Sequence, residues 1–371
     1  MNEKKSTHKL SSPLYVTKRL GFAKWKYWAI RAGGIVLAFL VAGIVCSILK
    51  PGSFGTFYSE LIRGCFDFTD ISSIIDLLVI FSILLTIAIV ITPAFKMHFW
   101  NIGAEGQVLI GAMTAAGIAK FCPSDMPNIV ILILAMVGAQ SASVIWSIIP
   151  AFFKAYFNTN ETLFTLMMNY IAMIAGAMAI SIWVKNGSQS FGTLGQGIFP
   201  PIFGNSGTLV FIFSMVIFVG MFFYINKGKP GYEVTVIGES IDTARYIGIN
   251  VKMVTIRTMA ISGLLLGTVG FFIVCGVHQT FSASIVGGKG FTGVLIAWLG
   301  HFQPFEIMLF AFLAAVMEKG TATAASAVNI SASQFSAICT GAFFFIIIAC
   351  EFFSRYQIHL RHKEKKEAEQ I

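Results

Sequence analysis

The sequence predicts an all-α polytopic membrane protein with about ten transmembrane helices, one or two of them short or broken, and a short helix in an inner loop. Three observations predict it. Of the 371 residues 56% are hydrophobic and only 12% charged, whereas soluble domains average about 45–50% and about 25%. Ten apolar runs reach or approach the roughly 17–25 residues that cross a hydrocarbon core as helices, the form in which a segment satisfies its own backbone. The 26 Lys and Arg gather in the tails and between alternate runs, which is the bias that sets orientation in a bilayer.

A basic cytoplasmic N-terminal tail, residues 1–26, leads into the first run, 27–49. No small-residue cleavage pattern follows Leu49, so this run reads as an uncleaved span. A loop at 50–73 follows, with Glu60, Asp67 and Asp70 and an amphipathic helix expected around Thr56–Phe66. Further spans are expected at 74–95, 99–121, 128–150, 161–184 and 207–226, bounded by charge, Pro, Gly or Asn. The Gly-, Ser- and Gln-rich stretch 185–206 is an outer loop, either a solvated connector or a docking surface. Four more spans, 252–276, 288–302, 304–320 and 333–353, complete a membrane domain over 27–353, before a charged cytoplasmic C-terminal tail at 354–371. The run 288–302 is short enough to be re-entrant.

With the N-terminus inside, only Lys50, Arg63, Lys120, Lys185, Lys289 and Lys319 fall outside, leaving 20 of the 26 on the inner face. Both termini are therefore cytoplasmic. The net charge of +9 is then a property of tails and loops beside anionic headgroups, and nucleic acid is not implied. The six Cys have no metal-type spacing. Cys65 and Cys122 both lie in expected outer loops, where they can pair or stay free.

The longest inner loop, 227–251, contains a Pro230-Gly231 turn and then Ser240, a cap for a helix that stops at Gly248. Ile241, Ala244 and Ile247 or Ile249 form its apolar stripe. Such a helix is too short to stand alone, so it packs on the protein's own helix ends or on a partner. Polar side chains at membrane depth are the other candidates. Asn101, Glu105 and Gln107 cluster around Gly103 and Gly106, and either line a water-filled path or form a capped helix start. Asn169, two turns inside its span, either bonds across helices or lines the path. His278 and Gln279 read as solvated loop. There is no phosphate-binding loop, HExxH, G-x-S-x-G or metal-type Cys spacing, so a membrane enzyme finds no catalytic set here.

Several of these phrases resemble one family. They are Trp100-Asn-Ile-Gly-Ala-Glu-Gly-Gln107, Asn160-Glu161-Thr162 with Leu166-Met-Met-Asn169-Tyr170-Ile171-Ala172, Gly238 with Ala244-Arg245-Tyr246-Ile247-Gly248-Ile249, Met259-Ala-Ile-Ser262-Gly263 and Gly290-Phe291-Thr292-Gly293. In this order, over about 50–353, they resemble the permease subunits of bacterial ABC importers of the ribose and branched-chain amino acid type, in particular the nucleoside permeases. Pro51-Gly52, Phe57-Tyr58 and Leu61-Ile62-Arg63-Gly64 look like the longer of the two permeases such systems use. The sequence departs from the family at Thr292, where relatives often carry Asp, and at Glu239-Ser240-Ile241, where they often carry Asn-Pro.

The resemblance implies a multi-pass subunit of the bacterial plasma membrane that is not itself an enzyme. Its implied partners are a second permease in a heterodimer, ABC ATPase subunits that bind the ATP and magnesium, and an extracytoplasmic lipoprotein that delivers substrate. This chain itself would bind no cofactor. The 227–251 loop would be the coupling helix, engaging the ATPase through Gly238, Ile241, Asp242, Ala244, Arg245, Tyr246 and Gly248, with Asn101, Glu105, Gln107 and Asn169 lining or shaping the translocation path. Nucleosides are the expected cargo. Ribose-like sugars and branched-chain amino acids are the alternatives, and a secondary transporter using Glu105 as its ion-linked carboxylate is the other class.

Overall fold

The computed structural model describes residues 14–18, 24–67, 69–184, 188, 190–202 and 204–360. The remainder of both tails, and Lys185 in the outer loop, lie outside the described residues. Thirteen α-helices make up most of the described chain. All ten expected spans coincide with helices: α1 (Lys24–Leu49), then, after α2 (Phe54–Phe66), α3 (Ile71–Lys96), α4 (Ala104–Phe121), α5 (Asn128–Phe157), α6 (Glu161–Trp183) and α7 (Gly207–Asn226). Two short helices follow, α8 (Lys229–Glu239) and α9 (Ile241–Tyr246), and then α10 (Val251–Phe271), α11 (Lys289–Leu299), α12 (Pro304–Ala327) and α13 (Ala332–Arg355).

Eight of these helices are long and apolar enough to cross a membrane. The other two expected spans are α4 and α11. At 1.5 Å per residue the 11 residues of α11 reach about 16 Å, half of a hydrocarbon core about 30 Å thick. Several spans run past their expected ends. The helix α5 continues through Pro150 to Phe157, since neighbouring helices make Pro tolerable in membrane spans. In α12, Thr321 and Thr323 return their hydroxyls to Met317 O and Lys319 O and the helix runs on to Ala327. Beyond Phe271, α10 continues as a π-helix through His278 and ends at Gln279, whose φ is +52°.

Small residues draw the central helices together. Gly263 and Gly267 of α10, one turn apart, face Ser147, Ser143 and Ala139 of α5, and a Cβ on Gly111 of α4 would lie 2.8 Å from the Gly267 Cα. Such close approach maximises dispersion where burial from lipid gives no driving force. Around this centre α3, almost wholly buried, links α7, α11 and α12, and α1 packs on α13.

The amphipathic helix expected at Thr56–Phe66 is α2. Its buried face of Phe57, Leu61, Gly64 and Cys65 lies on α12. Cys65 is therefore on the buried face of a helix, not in a loop, and like the other five Cys it is a free thiol. The 185–206 stretch is not a solvated connector over its described core. Phe191, Leu194 and Phe199 are buried, and their amides donate to Phe281 O, Gln279 O and Cys275 O at 2.8–3.0 Å. At the opposite end, the one the charge bias assigns to the inside, two strands cut from the expected tails pair antiparallel. These are β1 (Leu14–Lys18) and β2 (Tyr356–Leu360), with Leu14 opposite Leu360.

Candidate functional site

Between α3 and α4 the backbone leaves helical geometry at His98, whose φ is +60°, and runs through Asn101 to Gly103. Asn169 lies eight residues into α6, about 12 Å along its axis. Its Oδ1 accepts from Gly106 N at 2.9 Å and its Nδ2 donates to Ile102 O at 2.9 Å. Thr165 Oγ1 accepts from Ile102 N at 3.2 Å. The start of α4 is thus pinned well inside the bundle, alongside the second and third turns of α6. Asn101 Oδ1 caps Gly103 N at 3.0 Å and faces the Gln107 amide, while Gln107 O accepts from Ser143 Oγ at 2.7 Å.

The start of α11 arrives at the same place. Gly287 and Gly288, at φ +63° and +80°, turn the chain so that Gly288 N and Gly290 N donate to the two carboxylate oxygens of Glu105 at 2.8 and 2.7 Å. Two helix N-termini, each carrying partial positive charge, therefore meet on one carboxylate. Gly290 leaves no room for a Cβ against the Glu105 backbone. Lys289, expected in an outer segment, is drawn into the bundle and reaches Glu318 of α12 at 2.9 Å. The structure brings Asn101, Glu105, Gln107 and Asn169 together, all buried; Asn101, Gln107 and Asn169 bond to each other or to the backbone at the start of α4, and Glu105 to the start of α11.

At the inner end, Ser240 caps α9 by accepting from Thr243 N at 3.2 Å, and Gly248 ends the turn at φ +84°. Gly238 of α8 packs against the Lys96 carbonyl. Ala244 is fully buried in an apolar cluster with Ala94, Met97, Phe99, Ala151, Val234 and Ile237. Ile241 and Ile247, expected beside it on the apolar stripe, are exposed instead, and Tyr246 is 91% exposed. Asp242 and Arg245 pair at 3.4 Å on the outer surface of α9.

Sequence reasoning misses a cluster of buried charge at the same end. Arg31 of α1, 1% exposed, meets Glu306 of α12 at 3.2 Å and Glu351 of α13 at 3.0 Å, and donates to Leu299 O at 3.1 Å. His301 lies between the two carboxylates at 3.1 and 3.2 Å, and Arg355 pairs with Glu351 at 2.6 Å. The sequence signals are Arg31, Glu306 and Glu351, each a charged residue inside an expected span near its end. Arg257 and Glu233 form a further pair, at 2.8 Å, between α10 and α8.

A family model described as the permease component of branched-chain amino acid transport systems matches residues 73–349. A glucose ABC transporter permease of Haloferax volcanii is 25% identical over 348 residues, covering 89% of this chain and 87% of that protein. A guanosine ABC transporter permease of Bacillus subtilis is 28% identical, over 74% of this chain and 80% of its own. A nucleoside ABC transporter permease of Lactococcus lactis is also 28% identical, over 64% of this chain and 69% of its own.

Proposed function

The chain belongs to that permease family, and on this premise we propose that it is the non-catalytic membrane subunit of an ATP-driven importer whose cargo is nucleosides. The observation that carries the cargo is the pair of relatives named for guanosine and nucleosides, both 28% identical. Sugars are the second reading, favoured by the glucose permease that aligns over 89% of the chain.

In this reading the chain lies in the bacterial plasma membrane with both termini cytoplasmic. It pairs with a second permease, receives substrate from an extracytoplasmic lipoprotein and stands on ABC ATPase subunits that hold ATP and magnesium. The α8–α9 hairpin is the coupling element. Its exposed Ile241, Asp242, Arg245 and Tyr246 reach the ATPase, while Ala244, Gly238 and Gly248 hold the hairpin in place. Closure of the ATPase is transmitted through the cluster under Ala244 to the ends of α3, α5 and α10. The Asn101, Glu105, Gln107 and Asn169 junction shapes the path by keeping α4 and α11 broken at mid-depth.

The test is uptake of labelled nucleosides, glucose, ribose and leucine in cells lacking or regaining this gene, with and without a protonophore while ATP is maintained. Loss of nucleoside uptake that resists the protonophore supports the proposal. Loss of sugar uptake alone transfers the cargo to the second reading, and collapse with the proton gradient overturns ATP drive. An Arg245→Glu variant is expected to insert normally yet abolish uptake and transport-stimulated ATP hydrolysis.

A further inference from the structure

Between α6 and α7 the chain crosses the outer end of the bundle as a strap, described at 190–202 and 204–206, that is tied to several helix ends. Gln196 Nε2 donates to Cys122 O at 2.7 Å, just past α4, and Gly197 N donates to Asn128 Oδ1 at 2.7 Å, at the start of α5. From that footing the strap closes the π-helix. The last carbonyls of a helix have no partner within it, and here two are met from outside, Cys275 O by Phe199 N at 3.0 Å and Gly276 O by Ser206 Oγ at 2.6 Å. Past the helix the bonds continue, from Leu194 N to Gln279 O at 2.8 Å and from Phe191 N to Phe281 O at 2.9 Å. Ring contacts follow the same line, with centroids 5.2 Å apart for Phe199 and Phe271 and 5.8 Å for Phe191 and Phe281. Beyond Phe281 three successive turns, Ile285 N to Ser282 O, Gly287 N to Ser284 O and Lys289 N to Val286 O, bring the chain to Gly288 and Gly290 on Glu105.

We infer that Phe191, Leu194, Phe199 and Ser206 are positioning residues for the mid-depth junction: by capping the π-helix they hold its wide register, and so set where the start of α11 meets Glu105. A π-turn is rare and sits mostly at functional places. Its i→i+5 bonds, such as Gln279 N to Val274 O at 2.9 Å, compete with the i→i+4 bonds of an α-helix. Rewinding by one residue would turn everything beyond by about 100°, and the tight turns that follow would carry Gly288 and Gly290 off Glu105. The strap opposes this because its donors meet the carbonyls of the wide turn while its own anchors lie on α4 and α5. An outer loop thus acts at the middle of the membrane. This positioning rests on the importer reading only for its effect on uptake.

Hydrogen exchange of the assembled importer in lipid nanodiscs, read over 272–282 and 284–292, tests this together with uptake in cells. Ser206→Ala deletes the hydroxyl on Gly276 O and is expected to speed exchange in both stretches by about fivefold to tenfold, the weight of one hydrogen bond, and to lower uptake. Ser206→Thr, which keeps a hydroxyl, is expected to restore both. Faster exchange confined to 272–282 with uptake unchanged makes the strap a local cap and overturns the inference, as does no change in either stretch. Faster exchange in both, in a chain whose parent imports none of the four labelled solutes, keeps the positioning and overturns the importer reading. A second variant decides the matter should Ser206→Ala fail to reach the membrane. Ser190 and Ser282 are antiparallel bridge partners, a pairing that puts Cα atoms about 4.5–5.5 Å apart and within disulfide reach. Oxidised Ser190→Cys/Ser282→Cys is expected to import at the rate of its reduced form, since a strap that positions has no need to lift. Loss of uptake on oxidation, regained on reduction, overturns fixed positioning and makes the strap a moving part.

Discussion

At Glu105 a carboxylate does work usually left to water or substrate, since both of its oxygens are taken by amides of another helix. Replacing it with Ala leaves Gly290 N buried without its acceptor, which costs roughly 1–3 kcal/mol, and frees the part-buried Gly288 N as well. The expected result is a clear fall in thermal unfolding temperature of purified Glu105→Ala in detergent. Asn169→Leu removes a donor and an acceptor that hold Ile102 O and Gly106 N. Uptake by that variant is expected to fall sharply while its level in the membrane stays near that of the parent; unchanged uptake counts against the junction as part of the path. The apolar surroundings of these residues are legible in the sequence, because amides and acids inside an apolar run stand out. Their partners are not. Glu105 meets residues 183 and 185 positions away, and no local spacing encodes that.

Among elements, the glycines divide by what surrounds them. Gly55 in α2 has nothing within 4 Å of where a Cβ would be, whereas a Cβ on Gly270 of α10 runs into the backbone of α4 at Val108, Gly111 and Ala112. Gly55→Ala should therefore raise stability by about 0.5–1 kcal/mol through helix propensity. Gly270→Ala should lower it by about 1–3 kcal/mol through overpacking. Opposite shifts in denaturation midpoint check this. Helix existence is readable from apolar length, and the α2 face from its period. Helix ends are less readable: α4 starts at Ala104, not 99, because Asn101 caps the backbone ahead of it, and α5 passes Pro150. The descent of 191–199 onto the π-helix is hidden because its Gly and Ser content reads as loop, and only Phe191, Leu194 and Phe199 hint otherwise.

For the whole molecule, the buried charges at the inner end close the chain on itself, joining α1 to the ends of α11, α12 and α13. Arg31→Met takes the buried guanidinium from two carboxylates, leaving Glu306 with His301 and Glu351 with His301 and Arg355, and is expected to loosen the attachment of α1. The half-buried Cys350 lies against Gly34 of α1, so faster maleimide labelling of Cys350 in Arg31→Met is the expected sign that α1 has loosened. Labelling at the parental rate would place the clamp elsewhere. The half-length of α11 bears on how the protein is made. As the chain leaves the ribosome, an 11-residue helix that begins at Lys289 is too short to partition into the bilayer on its own. Its insertion is expected to depend on α12, whose Glu318 receives Lys289 at 2.9 Å, so this segment reaches its place by recruitment from its neighbours.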